Sequence, residues 1–250
     1  MIKFFRKIRQ NLLISGANGK YMKYAIGEIF LVVIGILIAL QINNWNEKRK
    51  ENLNLRVIYY NLLRDIKADS VSFALNLKDL QGIDFLQEQL YKTGIKNDTT
   101  VVLENPNYIR LLPDYNPITQ ENDPFVAAKI TNDIIRKEIL TYFRNMKDMN
   151  DTYIELDDII RNKMRGFLGD KKMYNVTGWF QNKSKGHSDN KFNFDFIDKT
   201  ELITLSKDIE FQQILFEASL KTDGNLYILK KVIEQNAHLI RVIENELNRP

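Results

Sequence analysis

Ala25 to Ile42 reads AIGEIFLVVIGILIALQI, and the interpretation of this run decides the architecture of the chain. Glu28 and Gln41 are its only strongly polar members. Tyr21 and Tyr24 stand before it and Trp45 after it, where interfacial aromatic rings belong. A helix from Tyr24 to Trp45 rises roughly 31 Å, which matches the hydrocarbon core of a bilayer. The sequence therefore predicts a transmembrane helix over residues 24–45. Glu28 lies one turn inside, where its carboxylate can reach toward the headgroups. A cleaved secretory signal fits less well: the run is long, and Ala39-Leu40-Gln41 offers no small-residue pair for cleavage. Gly35 and Ala39 form a small-xxx-small step that would let two such helices approach, although single steps of this kind arise by chance in apolar helices.

On the N-terminal side, IKFFRKIRQNLL (residues 2–13) places Ile2, Phe5, Ile8 and Leu12 at helical spacing, with Lys3, Arg6 and Lys7 mainly opposite. Residues 1–20 are thus expected to form a basic amphipathic arm lying on anionic lipid. Charge bookkeeping agrees with that division. Residues 1–23 carry six basic and no acidic side chains, whereas the chain from Asn46 onward holds 30 basic and 31 acidic ones. The overall charge of +4 belongs to the arm, so a nucleic-acid partner loses its main support and none is expected. Cysteine is absent, which excludes disulfides, thiolate metal sites and cysteine nucleophiles. Lys48, Arg49, Lys50, Arg56 and Arg64 follow the apolar run closely, so basic-residue counts alone do not orient it. A short basic N-terminus ahead of a long domain is the usual signal-anchor arrangement. The expectation is a cytoplasmic N-terminus and a periplasmic C-terminal domain at a bacterial inner membrane.

Residues 46–250 read as a helical extracytoplasmic domain, with helices at about 47–92, 124–168, 199–221 and 225–248. Ile135, Ile139, Tyr142, Met146, Met149, Tyr153, Leu156 and Ile160 recur at alternating spacings of four and three, as a packed helix requires. Leu226, Leu229, Ile233, Asn236, Ile240, Ile243 and Leu247 repeat the theme, placing Asn236 on the seam. The first of these helices shows a face through Tyr59, Leu62, Ile66, Phe73, Leu80 and Leu90, interrupted near Gly82. Having no breaker between Trp45 and Arg56, it can continue the transmembrane helix. Pro106, Pro113, Pro117 and Pro124 mark about 94–123 as a long connection, and Asp223-Gly224 as a break before the last helix. The fold class is all-α: an N-terminal transmembrane helix, then an elongated helical bundle with one aromatic-rich irregular insertion.

That insertion covers 169–198. Trp179 and Phe180 lead into a polar stretch, after which Phe192, Phe194 and Phe196 alternate with polar residues as in a short strand. Two readings stand: an ordered loop pinning its aromatic rings on the bundle, or a ligand or partner surface. Elsewhere the chemistry is sparse. His187 and His238 share no metal-ligand spacing, and Asp148, Asp151, Asp157 and Asp158 read as solvated helix carboxylates. No GxSxG, P-loop or GxGxxG occurs. No catalytic residue, metal site or cofactor is expected.

MIKFFRKIRQNLL and YAIGEIFLVVIGILIALQINNWNEKRK, as linear strings, resemble the start of a large family of single-pass proteins from flavobacteria and their relatives, classed as a domain of unknown function. NDIIRKEILTYFRNM resembles that family's second helical stretch. The resemblance implies an inner-membrane anchor and a helical extracytoplasmic domain, and it carries no reaction, ligand or catalytic residue. Asp69-Ser70-Val71 and Asp98-Thr99-Thr100 also resemble the short acidic O-glycosylation sites of exported proteins in this bacterial group, with Thr99 the better acceptor.

The expected function is that of a non-enzymatic envelope protein, a scaffold or protein-docking module whose partners are the bilayer and another protein, or a second copy joined through helices. The alternative is a periplasmic ligand-sensing bundle signalling through a partner.

Overall fold

A computed structural model of the chain describes residues 18–184 and 194–249. The expected amphipathic arm, His187 and Phe192 therefore lie outside the described residues, apart from the start of the first helix. The chain divides at Val57/Ile58 into two compact units. Helix α1, Asn18–Gly94, contributes to both.

In the first unit, α1 carries the apolar stretch. Its most apolar 18 residues have a mean hydropathy of 2.2, and none of them is buried. It is long and apolar enough to cross a membrane. Trp45 follows it, with the Arg49 guanidinium 5.8 Å from the ring centroid.

The second unit is a bundle of three long helices with a proline-rich strap. After the second part of α1 come a 3-10 turn (Pro106–Arg110), α2 (Thr119–Asn122), α3 (Val126–Lys129) and α4 (Asp133–Asp158). A π-helical segment (Ile159–Met164) then leads into α5 (Arg165–Asp170), α6 (Val176–Ser184), α7 (Lys199–Leu205) and α8 (Ile209–Leu247). The described residues contain no strand. Tyr174 and Ile197 form only an isolated bridge, and Phe194 and Phe196 do not lie in the short strand that was expected of them.

Cross-helix hydrogen bonds fix the directions. Ser70 meets Asn236 and Gln87 meets Thr222, so α1 and α8 are antiparallel. Gln235 meets Glu138, Asn225 meets the Thr152 carbonyl and Lys221 meets Glu155, so α4 and α8 are antiparallel as well. Helices α1 and α4 consequently run the same way, and the chain between them has to return along the whole bundle. This requirement accounts for the long connection. The strap descends α1 in reverse order: Gln89 donates to the Val102 carbonyl, Tyr108 lies on Gly82, Asn76 donates to the Asp114 carbonyl and Asn122 donates to Asp65. Proline suits this path because an extended strap has no helical ladder to break. Tyr115 completes the closure. Its ring stacks on Phe73, 6.0 Å between centroids, and its hydroxyl donates to the Met146 carbonyl.

The heptad residues of α4 form its buried face: Ile135, Ile139, Tyr142, Met146, Met149 and Leu156 are buried, as is Ile160 in the π segment, while Tyr153 is partly open. Asn236 is buried on the α8 seam among Leu229, Val232, Leu239 and Ile243. Two expected breaks are absent. The helix does not break at Gly82; a Cβ there would fall 2.5 Å from Cζ of Tyr108, so the glycine admits the strap rather than ending the helix. Nor does it break at Asp223-Gly224, which α8 crosses uninterrupted. At that point α8 lies close to α4: Thr152 Cγ2 stands 3.6 Å from where a Gly224 Cβ would be, and Asn225 donates to the Thr152 carbonyl. The break falls instead at Ser206–Asp208, where the Asp208 carboxylate caps α8 by accepting from the Glu210 and Phe211 amides.

Candidate functional site

The residues singled out in the sequence fall in separate places. Tyr24, Glu28, Gly35, Ala39 and Trp45 all lie on α1 in the first unit. Gly35 has open space around its Cβ position among the described residues. Trp179 and Phe180 are on α6, a helix where an irregular loop was expected, and Phe194 and Phe196 lie in the segment that returns to α7. Trp179 gathers the two phenylalanines, with centroids 6.0 Å from Phe194 and 5.6 Å from Phe196, and those two meet edge-to-face at 5.3 Å. Phe180 is 62% exposed. Trp179, Phe194 and Phe196 are thus packed against one another, as the ordered-loop reading expects of aromatic rings in this insertion.

The pinning comes from the 3-10 turn. Asn105 caps it by accepting from the Asn107 amide, and Pro106 opens it with a preset φ. Asn107 and Arg110 are three residues apart and so share a face of a 3-10 turn. The buried Asn107 side chain donates to the Phe194 carbonyl and accepts from the Phe196 amide, acting as a surrogate strand for that segment. Arg110 then lays its guanidinium 4.7 Å from the Phe196 centroid and 5.4 Å from that of Tyr174. Each such contact is worth about 0.5–2 kcal/mol depending on desolvation.

A second arginine, Arg165, stands at the start of α5, directly after the π segment. Arg165 directs Nε and Nη2 onto the Arg110 carbonyl at 3.2 and 2.8 Å, and the Tyr174 hydroxyl donates to the Arg165 carbonyl. A π turn is energetically unfavourable and is found mostly where a side chain has to be re-aimed. Arg161, in the same segment, is neutralised by Asp157 at 2.6 Å. Arg110 and Arg165 have no carboxylate partner among the described residues, and Arg110 Nε is buried without a hydrogen-bond acceptor. Burial, then the neighbouring charges of Arg110 and Arg161, hold the Arg165 guanidinium below its ordinary value. The centre is a positively charged corner walled by aromatic rings. Neither arginine was singled out in the sequence. They are 55 residues apart, and no local pattern signals that they meet.

Two other polar features were also missed. Asp69 is 1% exposed and accepts from the Ile118 amide, Thr119 Oγ1 and the Tyr142 hydroxyl, which ties strap, α1 and α4 together. Ser70 beside it donates to Asn236, so the first of the two candidate glycosylation serine/threonine sites belongs to this core network, whereas Thr99 lies exposed in the turn after α1. A groove of about 570 Å³ between the end of α1 and the start of α8 is lined by Tyr91, Ile95, Ile209 and Phe216, with Asp84 and Gln87 at its polar side. Burial raises the Asp84 carboxyl, and Asp223 and Glu88 raise it further. His238 is a surface residue near Glu138, at 3.6 Å. Among the described residues no group of three His, Asp or Glu side chains could hold a metal ion.

The fold and site define a helical-bundle protein with one apolar N-terminal helix long enough to cross a membrane. Residues 28–101 match the model of DUF6090, a family of unknown function, in agreement with the resemblance drawn from the N-terminal strings. The match covers the apolar span, the rest of α1 and the first turn of the strap. No curated protein and no solved structure matches the chain.

Proposed function

We propose that the chain is a non-enzymatic docking protein of the bacterial envelope, anchored in the inner membrane by α1 with its N-terminus cytoplasmic and its bundle in the periplasm. The observation that carries this reading is the aromatic face of α6. Trp179 is held on a preorganised scaffold of Phe194, Phe196 and Asn107, and the adjacent Phe180 is exposed. Rigid aromatic groups at the surface are what protein interfaces use as anchors. The buried carboxylate Asp69 is saturated by structural donors, which fits a holding role better than a chemical one. The apolar span supports the anchor.

The test is photo-crosslinking in native membranes from a photoreactive residue at Phe180, with a topology reporter fused after Pro250. A discrete adduct at Phe180, absent when the probe is moved to the exposed Arg144, is the expected result. Reporter activity on the cytoplasmic side, or identical adduct patterns from both positions, would overturn the proposal.

The groove at Tyr91, Ile95, Ile209 and Phe216 favours a second reading, a ligand-sensing bundle that signals through a partner. A small-molecule thermal-shift screen checks it, with hits expected to lose effect in Phe216→Ala.

A further inference from the structure

We propose that Arg110 and Arg165 form an oxyanion-binding site at the rim of the aromatic cluster, taking a carboxylate or phosphate group. The proposal goes beyond the docking reading and stands without it. Both arginines are half-buried: the Arg165 guanidinium lies on the Arg110 carbonyl and the Arg110 guanidinium on two ring faces, and among the described residues no carboxylate bonds to either, Asp157 being bonded to Arg161 and acting on Arg165 only through its charge. That arrangement is costly unless something compensates it, because partly desolvated like charges repel. The neighbouring Arg161 shows the ordinary solution, an Asp157 carboxylate one helical turn away. Arg165 spends only one edge of its guanidinium, Nε and Nη2, on the Arg110 carbonyl. Its Nη1 edge has no partner among the described residues, and a planar fork of this kind matches two oxygens of a carboxylate or phosphate.

The site is also built rather than incidental. The Asn105 cap and Pro106 set the 3-10 turn that carries Arg110, and the π segment sets the approach of Arg165. Tyr174 connects them, its ring under Arg110 and its hydroxyl on the Arg165 carbonyl. Removing either arginine would spoil the anion site without touching the Asp69 network, which lies on other elements. The aromatic rings alongside favour an anion attached to an apolar body.

Two sources of the same group are open, a free oxyanion or an acidic side chain of a docked protein, and the experiment separates them. Full-length protein in detergent is titrated with inorganic phosphate in one arm and with the peptide acetyl-Phe-Glu-Glu-Phe-amide in the other. Sodium chloride at matched ionic strength and the Gln-substituted peptide are the controls, and thermal shift together with tryptophan fluorescence in a Trp45→Phe background are the readouts. Phosphate or the acidic peptide raises Tm and changes the Trp179 signal, and affinity falls roughly tenfold or more in Arg110→Gln and Arg165→Gln, as loss of a charge-assisted contact implies. Phosphate acting alone identifies a free anion; a tighter peptide identifies an acidic segment. Arg110→Met keeps the packing on the rings and is expected to fold with the same loss, so a misfolded Arg110→Gln leaves the test intact. Equal shifts with chloride, equal losses in Arg144→Gln, or no response to either probe overturns the site. Binding of phosphate by a protein that yields no crosslink at Phe180 would sink the docking reading and leave this one standing.

Discussion

Tyr142 donates its hydroxyl to Asp69 Oδ2 across 3.0 Å, joining α4 to α1 at a point where no cation pairs with the carboxylate among the described residues. Asn236 of α8 donates to the same hydroxyl at 3.0 Å, so one phenol connects the three long helices. Burying a charge is tolerable only when it is hydrogen-bonded, and here the Ile118 amide donates to Oδ1 and the Thr119 hydroxyl to Oδ2 as well.

Removing that phenol should therefore be costly. Tyr142→Phe is expected to destabilise the bundle by about 1–3 kcal/mol, because Asp69 loses a donor and Asn236 an acceptor. Combining it with Asn236→Ala should cost less than the sum of the two single changes, since they share one network. Urea denaturation followed by helical circular dichroism checks both; strict additivity would refute the network.

The same residues set an alkaline limit. Burial, and then the Asp69 charge, raise the Tyr142 and Tyr115 phenols well above the ordinary 10.0. Below that value both folded and unfolded chains keep these protons, and their contribution to stability is complete. As pH rises past 10.0 the unfolded chain ionises first, so stability declines. Tyrosinate absorbance should appear together with loss of helix, and Tyr142→Phe should flatten the decline.

At the acid end the helix caps govern. Hydrogen bonds from the Glu201 and Thr200 amides hold the Asp198 carboxyl below its usual range, and the hydrogen bond from Lys171 does the same for Asp208. These contributions are present above the ordinary value of 3.8 and fade as pH falls through the depressed folded values. In Asp208→Asn, which keeps a capping acceptor but cannot titrate, Tm should fall less steeply with acid than in the parent. Parallel acid profiles would contradict this.

Gly82 separates two explanations of a glycine inside a helix. If it only weakened the helix, Gly82→Ala would stabilise by about 1 kcal/mol. Because the new Cβ would meet the Tyr108 ring at 2.5–3.0 Å, a net loss of about 1–3 kcal/mol is expected instead. Tyr108→Ala in the same chain should recover much of it. A more stable Gly82→Ala would remove the close-approach argument.

Periodicity located the helices well where the signal was a repeated face. The α4 heptad and the seam position of Asn236 are both read from spacing, because helix packing demands apolar residues every three or four positions. Breakers were read less well. Gly82 and Gly224 look like interruptions from local propensity alone, yet Gly82 is a site of close approach to the strap and Gly224 lies inside an unbroken α8. The stop that does occur, at Asp208, carries a cap whose competition with Asp223-Gly224 is decided by what α8 packs against.

By itself the sequence determined an apolar N-terminal span, an all-helical body and a proline-marked connection, since composition, spacing and backbone restriction act over a few residues at a time. The tertiary structure alone decided that α1 and α4 run the same way, which turns the connection into a strap along α1 and places Asp69 and Asp65 as its pegs. It alone brought Arg110 to Arg165 and Asn107 to Phe194 and Phe196. Those meetings depend on side chains from distant segments sharing one packed corner, and no short window of sequence contains both partners.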